Sequence, residues 1–266
     1  MPFFNGLDGV RLHYKIEGSG PPIVFHLGAG ADSELWRTAG YVEPLSRDYS
    51  CILFDHRGHG KSDHPASVDS NLIDRYVDDV VSLTEELGLR KVSYLGWSNA
   101  VAVGLKAAQD HPSLFGSLAL LGGLARRASA EQIAAATEIR VAELRKKGWW
   151  CILDPMLAAE RLPVPRWFLD RVVATDLEPL IAYTQGRVRW NWSPWDAAPR
   201  VAAPVLILVG ELEDPDDVMG ELAAQMPAAS RVRIPGHEHI NAFLDSDFTV
   251  PRIQEFLAAV RSPAKA

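Results

Sequence analysis

The chain has 266 residues, of which 47% are hydrophobic and 23% charged, so one large domain with a sizeable core is expected. Its net charge of −7 argues against binding to nucleic acid or to an anionic membrane surface. The two cysteines form neither a disulfide framework nor a zinc-ligand spacing, and we predict no metal and no organic cofactor.

The start of the chain lacks a basic region followed by an apolar stretch, so no signal peptide is predicted. No run approaches the ~20 apolar residues that a membrane-spanning helix needs. We therefore expect a cytoplasmic protein. The sequence gives no indication of its oligomeric state.

Short apolar runs alternate with helical patterns along most of the chain. Strands are predicted at 22–26, 51–54, 92–96, 118–121, 204–209 and 231–234, and helices at 72–87, 100–111 and 250–260. This alternation is typical of a mostly parallel sheet with helices on both faces.

The segment 124–200 interrupts the alternation. Its pattern predicts helices at 130–147, 166–173 and 176–187, and it holds six of the eight tryptophans. We interpret it as a helical insertion into a core formed by 1–123 and 201–266. Its aromatic side chains either pack on the sheet or line a pocket beneath the insertion.

A candidate nucleophile lies between the strand at 92–96 and the helix that follows it. A sharp turn that exposes a serine there needs small residues two positions before and after it, and Gly96 and Ala100 meet this requirement. We predict that Ser98 is the nucleophile and that the amide of Asn99 stabilises an oxyanion. The alternative is that Ser98 only caps the helix.

A second motif follows the strand at 51–54. Residues 55–63 read DHRGHGKSD, which fits the pattern D-x-R-G-x-G-x-S, and Trp36 lies between the two preceding strands. Together with the turn at Ser98, these features resemble the α/β-hydrolase-fold superfamily of serine hydrolases, of the esterase, lactonase and C–C hydrolase type. Ala100 stands where that superfamily more often has glycine.

The resemblance runs from His26 to the C-terminal helix and implies the α/β-hydrolase fold. In that fold a mostly parallel twisted sheet is flanked by helices, and a small helical cap is inserted. The catalytic residues follow in the order serine, acid, histidine. The base then belongs to the sequence PGHEHI at 235–240, where the P-G-x-x-H spacing predicts His239 and leaves His237 as the alternative.

The acid is expected in the sequence GELEDPDD at 210–217. The superfamily's spacing from Gly210 gives Glu213, whereas the residue type and the following Pro215 favour Asp214. We predict Asp214, with Glu213 as the alternative. Its carboxylate would hold the base in the right tautomer and stabilise the imidazolium.

The second oxyanion donor is expected after the strand at 22–26. The sequence HLGAG takes the place of the superfamily's H-G-x motif, with Leu27 where the motif has glycine. Gly28, two residues after His26, is the predicted donor beside the amide of Asn99. The alternative is a flexible glycine turn without a catalytic role.

The expected function is hydrolysis of a carboxylic ester or lactone of an apolar or aromatic small molecule through an acyl-enzyme. C–C bond hydrolysis and cofactor-free dioxygenation are alternatives that use the same residues. A non-enzymatic small-ligand receptor that retains them is a third. Serine at position 98 excludes haloalkane dehalogenase and epoxide hydrolase chemistry, which needs a carboxylate nucleophile.

Overall fold

The computed structural model describes residues 2–123 and 127–261. Within them, eight strands form one sheet: β1 (Phe3–Asn5), β2 (Arg11–Glu17), β3 (Pro22–His26), β4 (Ser50–Phe54), β5 (Val92–Trp97), β6 (Phe115–Leu121), β7 (Val205–Gly210) and β8 (Ala229–Ile234). The spatial order is β1-β2-β4-β3-β5-β6-β7-β8. The pairs β1–β2 and β2–β4 are antiparallel and the others parallel. The predicted mostly parallel sheet is confirmed.

The helices of the described residues lie mainly between the strands. They are α1 (Glu34–Thr38), α2 (Val42–Leu45), α3 (Ile73–Glu86), α4 (Asn99–Asp110), α5 (Ala130–Lys147), α6 (Trp150–Ala159), α7 (Arg166–Val173), α8 (Glu178–Gly186), α9 (Pro194–Ala197), α10 (Val218–Ala223), α11 (His239–Leu244) and α12 (Ser246–Arg261). Short 3-10 helices cover Asp69–Asn71, Arg187–Arg189 and Ala198–Arg200.

Two hydrophobic cores cover the two faces of the sheet. Successive side chains of a strand point to opposite faces, so Val24 lies in one core and its neighbour Phe25 in the other. The first core also contains Val80 of α3, and the second contains Trp36 of α1 and Ile253 of α12. Because both faces are buried, the central strands are apolar throughout rather than alternating.

The D-x-R-G-x-G-x-S motif ties several segments to the sheet. The buried guanidinium of Arg57 contacts Asp79 of α3 at 2.6 Å and Asp8 of the β1–β2 turn at 2.8 Å. Nε2 of His59 accepts a hydrogen bond from the amide of Gly30 at 3.0 Å. The motif therefore fixes the loop that follows β3, which passes close to Ser98.

The chain between β6 and β7 is helical, with α5 to α9 in succession. Helix α5 occupies the range that its sequence pattern predicts. Residues 124–126, where the predicted insertion begins, lie outside the described residues. Among the helices that are described, none is both long enough and apolar enough to cross a bilayer.

Candidate active site

The turn from β5 into α4 holds Ser98 in a conformation that few residues other than glycine adopt. Its φ is +61° and its ψ is −122°. The turn is crowded, because a Cβ at Gly96 would lie 3.2 Å from the carbonyl oxygen of Ala100. The requirement for small residues around Ser98 therefore has a direct steric cause.

Ser98, His239 and Glu213 form a hydrogen-bonded chain. Nε2 of His239 lies 3.1 Å from Oγ of Ser98, and Nδ1 lies 2.7 Å from Oε1 of Glu213. Ser98 follows β5, Glu213 follows β7, and His239 begins α11 after β8. Since β5, β7 and β8 run parallel, their carboxyl ends meet at one edge of the sheet and bring these three side chains together.

The surroundings of the imidazole favour its protonated form. Burial lowers the pKa of His239, but the charge of Glu213 and its hydrogen bond outweigh burial, and the pKa lies above its usual value. Burial likewise acts to raise the pKa of Glu213. The charge and hydrogen bond of His239 outweigh this, and the pKa of Glu213 is lowered. The pair therefore stabilises an imidazolium beside a carboxylate.

The structure corrects the prediction of Asp214 as the partner of His239. The carboxylate of Asp214 is buried and accepts hydrogen bonds from the amides of Val218 at 2.8 Å and Met219 at 2.9 Å. The first amides of a helix lack intrahelical acceptors, and this aspartate satisfies them at the start of α10. Glu213 is one methylene longer and points the other way, toward His239.

His237, the alternative base, has partners other than Ser98 at both ring nitrogens. Its Nδ1 lies 2.6 Å from the carbonyl oxygen of Pro235, and its Nε2 lies 3.4 Å from Oδ2 of Asp245. Of the two histidines in the loop, His239 is the one that the structure brings to Ser98.

The two predicted oxyanion donors lie beside Ser98. A Cβ at Gly28 would be 2.6 Å from Cβ of Ser98 and 3.0 Å from the amide nitrogen of Asn99. Only glycine therefore fits at position 28. Asn99 is the first residue of α4, so its amide has no acceptor within the helix. Tyr94 on β5 bonds Nδ1 of His26 at 2.8 Å, which fixes the end of β3 against β5.

Two glycines after β6 make room for the histidine–glutamate pair. Gly122 has φ +59°, and a Cβ there would lie 2.8 Å from Nδ1 of His239. The amide of Gly123 donates to Oε1 of Glu213 at 3.2 Å. We predicted no role for these residues from the sequence, although a glycine pair directly after a buried strand is a recognisable sign of close backbone approach.

Trp97 fixes the plane of the imidazole. Its ring stacks on His239 with centroids 5.1 Å apart and on Phe243 with centroids 4.2 Å apart. The tryptophan is thus held between the candidate base and a buried residue of the same helix, α11. The sequence places Trp97 next to Ser98 but gives no sign of this stacking.

Glu160 links the helical segment between β6 and β7 to the candidate base. Its carboxylate accepts hydrogen bonds from the amide of Ile240 at 2.7 Å and from Nδ2 of Asn241 at 2.8 Å. These groups follow His239 directly, and the charge of Glu160 contributes to the raised pKa of His239. No local pattern in the sequence indicates this contact.

Two cavities meet at Ser98 and His239. Cavity A, of about 420 Å³, has a mainly apolar wall that includes Trp149, Ile152, Leu153, Met156, Phe168 and Val172. Cavity B, of about 560 Å³, is lined by Trp190, Trp192 and Trp195 among others. Four of the six tryptophans of the inserted segment therefore line space beside Ser98. Within the described residues, no group of three His, Cys, Asp or Glu side chains is arranged to hold a metal ion.

Comparison with known proteins agrees with this architecture. Residues 21–149 match the family model of the α/β hydrolase fold. An esterase from Thermogutta terrifontis superposes with a TM-score of 0.86 at 22% identity, over 98% of this chain and 99% of the other. An enol-lactonase from Burkholderia xenovorans superposes with a TM-score of 0.82 at 25% identity, over 97% and 100%.

The chain therefore has the α/β-hydrolase fold. Among characterised sequences, the chain is 37% identical over 98 residues to a non-heme haloperoxidase of Rhodococcus erythropolis. The match covers 37% of this chain and 35% of the relative. The first curated relatives are thus matched over only about a third of their own length.

Proposed function

We propose that this chain hydrolyses a carboxylic ester or lactone of an apolar or aromatic small molecule through an acyl-enzyme on Ser98. The observation that carries the proposal is the hydrogen-bonded chain from Ser98 through His239 to Glu213, at the meeting point of two cavities. A serine hydroxyl is a weak nucleophile unless an adjacent base takes its proton, and this arrangement supplies one.

The reaction uses each member of the chain in turn. His239 takes the proton of Ser98 as Oγ attacks the carbonyl carbon, and then gives that proton to the leaving alkoxide. Water next attacks the acyl-enzyme, with His239 again as the base. Glu213 holds the tautomer with the proton on Nδ1 and stabilises the imidazolium formed in both steps.

The amides of Gly28 and Asn99 stabilise the oxyanion of the tetrahedral intermediate. Both residues lie against Ser98, so their backbone amides are in place before charge develops on the carbonyl oxygen. Each such preorganised donor contributes roughly 3 kcal/mol to lowering the barrier.

The helical segment 124–200 serves as a cap over the core formed by 1–123 and 201–266. Helices α5, α6, α7 and α8 each supply side chains to the wall of cavity A, which supports this role. The apolar character of that wall favours a substrate with an apolar or aromatic group. The esterase and enol-lactonase among the structural neighbours are consistent with ester or lactone chemistry.

A panel of p-nitrophenyl esters, lactones and vinylogous diketones tests the proposal on wild type and Ser98→Ala side by side. We expect turnover of an ester or a lactone, with kcat lower by about 10⁴-fold or more in the variant. A fluorophosphonate probe should label the wild type alone. Ester hydrolysis that persists in Ser98→Ala contradicts the mechanism.

Other results of the same panel identify the alternatives. Cleavage of vinylogous diketones alone indicates a C–C hydrolase, and oxygen consumption without added cofactor indicates a dioxygenase. A ligand that raises the Tm without measurable turnover indicates a receptor. Each of these results replaces the proposed ester or lactone hydrolysis.

A further inference from the structure

The described lining of cavity A contains two arginines and no carboxylate. The charged residues among its described lining are Arg140, Arg187 and the candidate base His239, and these lining residues include no Asp or Glu. The chain as a whole has a net charge of −7, so this local excess of cations runs against its general composition. Such a site attracts an anion.

Among the described residues, neither arginine lies within ion-pair distance of a carboxylate, although the charge of Arg140 acts on Glu143 one turn further along α5. Nη1 of Arg140 donates to the carbonyl oxygen of Cys151 at 3.2 Å, and the guanidinium of Arg187 lies 5.9 Å from the ring centre of Trp190. Both side chains are exposed, so their donors remain accessible from the cavity and from solvent. A guanidinium has five N–H donors, and these contacts leave most of them available.

The neighbouring arginines on the same elements behave differently. Arg145, on α5 with Arg140, lies 3.6 Å from a carboxylate oxygen of Glu178. Arg189, in the same 3-10 helix as Arg187, lies 2.6 Å from Asp69. Neither of these paired arginines lines cavity A. Of the four arginines in these two elements, the two without an ion pair are thus the ones that line the cavity.

The two guanidinium groups reach the cavity from different elements that pack together. On α5, Gln132, Ala136 and Arg140 follow one another at four-residue spacing and so share one face, and all three line cavity A. Arg187 follows α8, which packs against α5, and Thr184 one turn earlier also lines the cavity. Polar groups therefore cluster on the α5–α8 side of an otherwise apolar space.

We propose that the substrate is an ester or lactone that carries a carboxylate, which Arg140 and Arg187 bind while its apolar part fills cavity A. This substrate class rests on the hydrolytic function proposed above. The planar guanidinium fork matches the two oxygens of a carboxylate, which makes arginine the residue suited to this recognition. The two arginines are specificity-determining residues, and they take no part in bond cleavage.

Two esters that differ only in charge test the proposal. One is the p-nitrophenyl monoester of suberic acid, and the other is the same ester with its free carboxylate replaced by a primary amide. The kcat/KM of wild type should be about tenfold or more higher for the ester with a free carboxylate than for the amide ester. The difference should arise mainly from a lower KM, as expected for hydrogen bonds to a charged group. The preference should decrease at 0.5 M NaCl, because both arginines are exposed to screening.

Variants assign the preference to the two arginines. Arg140→Gln and Arg187→Gln should each reduce it severalfold, and the double variant should bring the ratio near one. Arg187→Lys should retain part of it. The matched controls Arg145→Gln and Arg189→Gln, which replace paired arginines outside the cavity, should leave it unchanged. Equal use of both esters by wild type, or an equal loss in the controls, overturns the proposal.

A binding measurement separates failure of this proposal from failure of the proposed hydrolysis. Suberic acid monoamide has a carboxylate but no ester, so its binding to wild type by calorimetry does not depend on catalysis. We expect it to bind more tightly than the uncharged diamide, and the double arginine variant should abolish the difference. Binding of this kind without ester turnover contradicts only the hydrolytic function, whereas turnover without a carboxylate preference contradicts only the carboxylate site.

Discussion

Oε1 of Glu213 receives two hydrogen bonds, from Nδ1 of His239 at 2.7 Å and from the amide of Gly123 at 3.2 Å. The two donors fix this oxygen, and the carboxyl group is largely shielded from water. The orientation of the imidazole therefore depends on a glutamate held by the backbone of the adjacent strand end.

Replacement of the two neighbouring acids should separate catalysis from stability. Glu213→Gln should lower kcat by about 10⁴-fold, as expected when the carboxylate that sets the tautomer is lost. Asp214→Asn should leave kcat within a few-fold of wild type. It should lower the free energy of unfolding by less than about 1 kcal/mol, because it only weakens the hydrogen bonds that the side chain accepts from the first amides of α10. Ester kinetics and urea unfolding measure the two effects. If Asp214→Asn lowers kcat more than Glu213→Gln does, Asp214 and not Glu213 is the carboxylate partner of His239.

The pH dependence of kcat/KM should report the raised pKa of His239. The base must be neutral to accept the proton of Ser98, so activity is low at acidic pH and increases as His239 loses its proton. Because that pKa is raised, the midpoint should lie above about 6.5, the usual value for histidine. In Glu213→Gln the charge that favours the imidazolium is gone, and the residual activity should have a lower midpoint. An unchanged midpoint contradicts the assigned pair.

Gly122→Ala should inactivate the protein by steric conflict with the histidine–glutamate pair. The new Cβ would lie 2.8 Å from Nδ1 of His239, so the imidazole has to move away from Glu213. Gly88→Ala is the matched control, because Gly88 has a similar φ of +63° but no atom within 4 Å of the added carbon. Both variants share the backbone cost of a positive φ. Both variants should therefore lose a similar free energy of unfolding, measured in urea. Only Gly122→Ala should also lose ester hydrolysis under conditions in which the protein is still folded.

Glu160→Gln should shift the pH profile and reduce turnover without changing the nucleophile. Removal of this charge lowers the pKa of His239, so the midpoint of the kcat/KM profile should move to lower pH, by less than in Glu213→Gln. The hydrogen bond that the side chain at position 160 accepts from the amide of Ile240 should also become weaker, and this should reduce kcat severalfold. Asp154→Asn, at an exposed position of α6, is the control and should change neither quantity. A purely structural role for Glu160 would lower the Tm and leave the midpoint in place.

Much of the fold is predictable from the sequence because the central strands are buried on both faces. Pro22–His26 has the bounds predicted from its apolar run, and Ala130–Lys147 has those predicted from its helical pattern. The hairpin Phe3–Asn5 and Arg11–Glu17 was not predicted, since it lies at the sheet edge and polar residues interrupt its strands, so no continuous apolar run marks them. Helix Trp150–Ala159 was also missed, because Pro155 interrupts its pattern.

The local parts of the candidate site are predictable, and the tertiary parts are not. Ser98 is indicated by its own neighbours, because the turn imposes small residues at fixed spacing. The choice between Glu213 and Asp214 depends on where α10 begins and which amides need an acceptor, and residue spacing alone does not give this. The contact between Glu160 and Ile240 joins residues 80 positions apart, so no local pattern reports it.

The contact of Glu160 with α11 has a consequence for evolution and for engineering of this protein. The segment that shapes cavity A also supplies the acceptor for the amides next to His239, so selectivity and turnover are inherited together. A chimera that receives its segment between β6 and β7 from another protein of this fold acquires a new cavity, and it keeps this acceptor only where the new segment also supplies a carboxylate to the amides next to His239. Directed evolution for new substrates should therefore keep position 160 fixed while the cavity wall is varied.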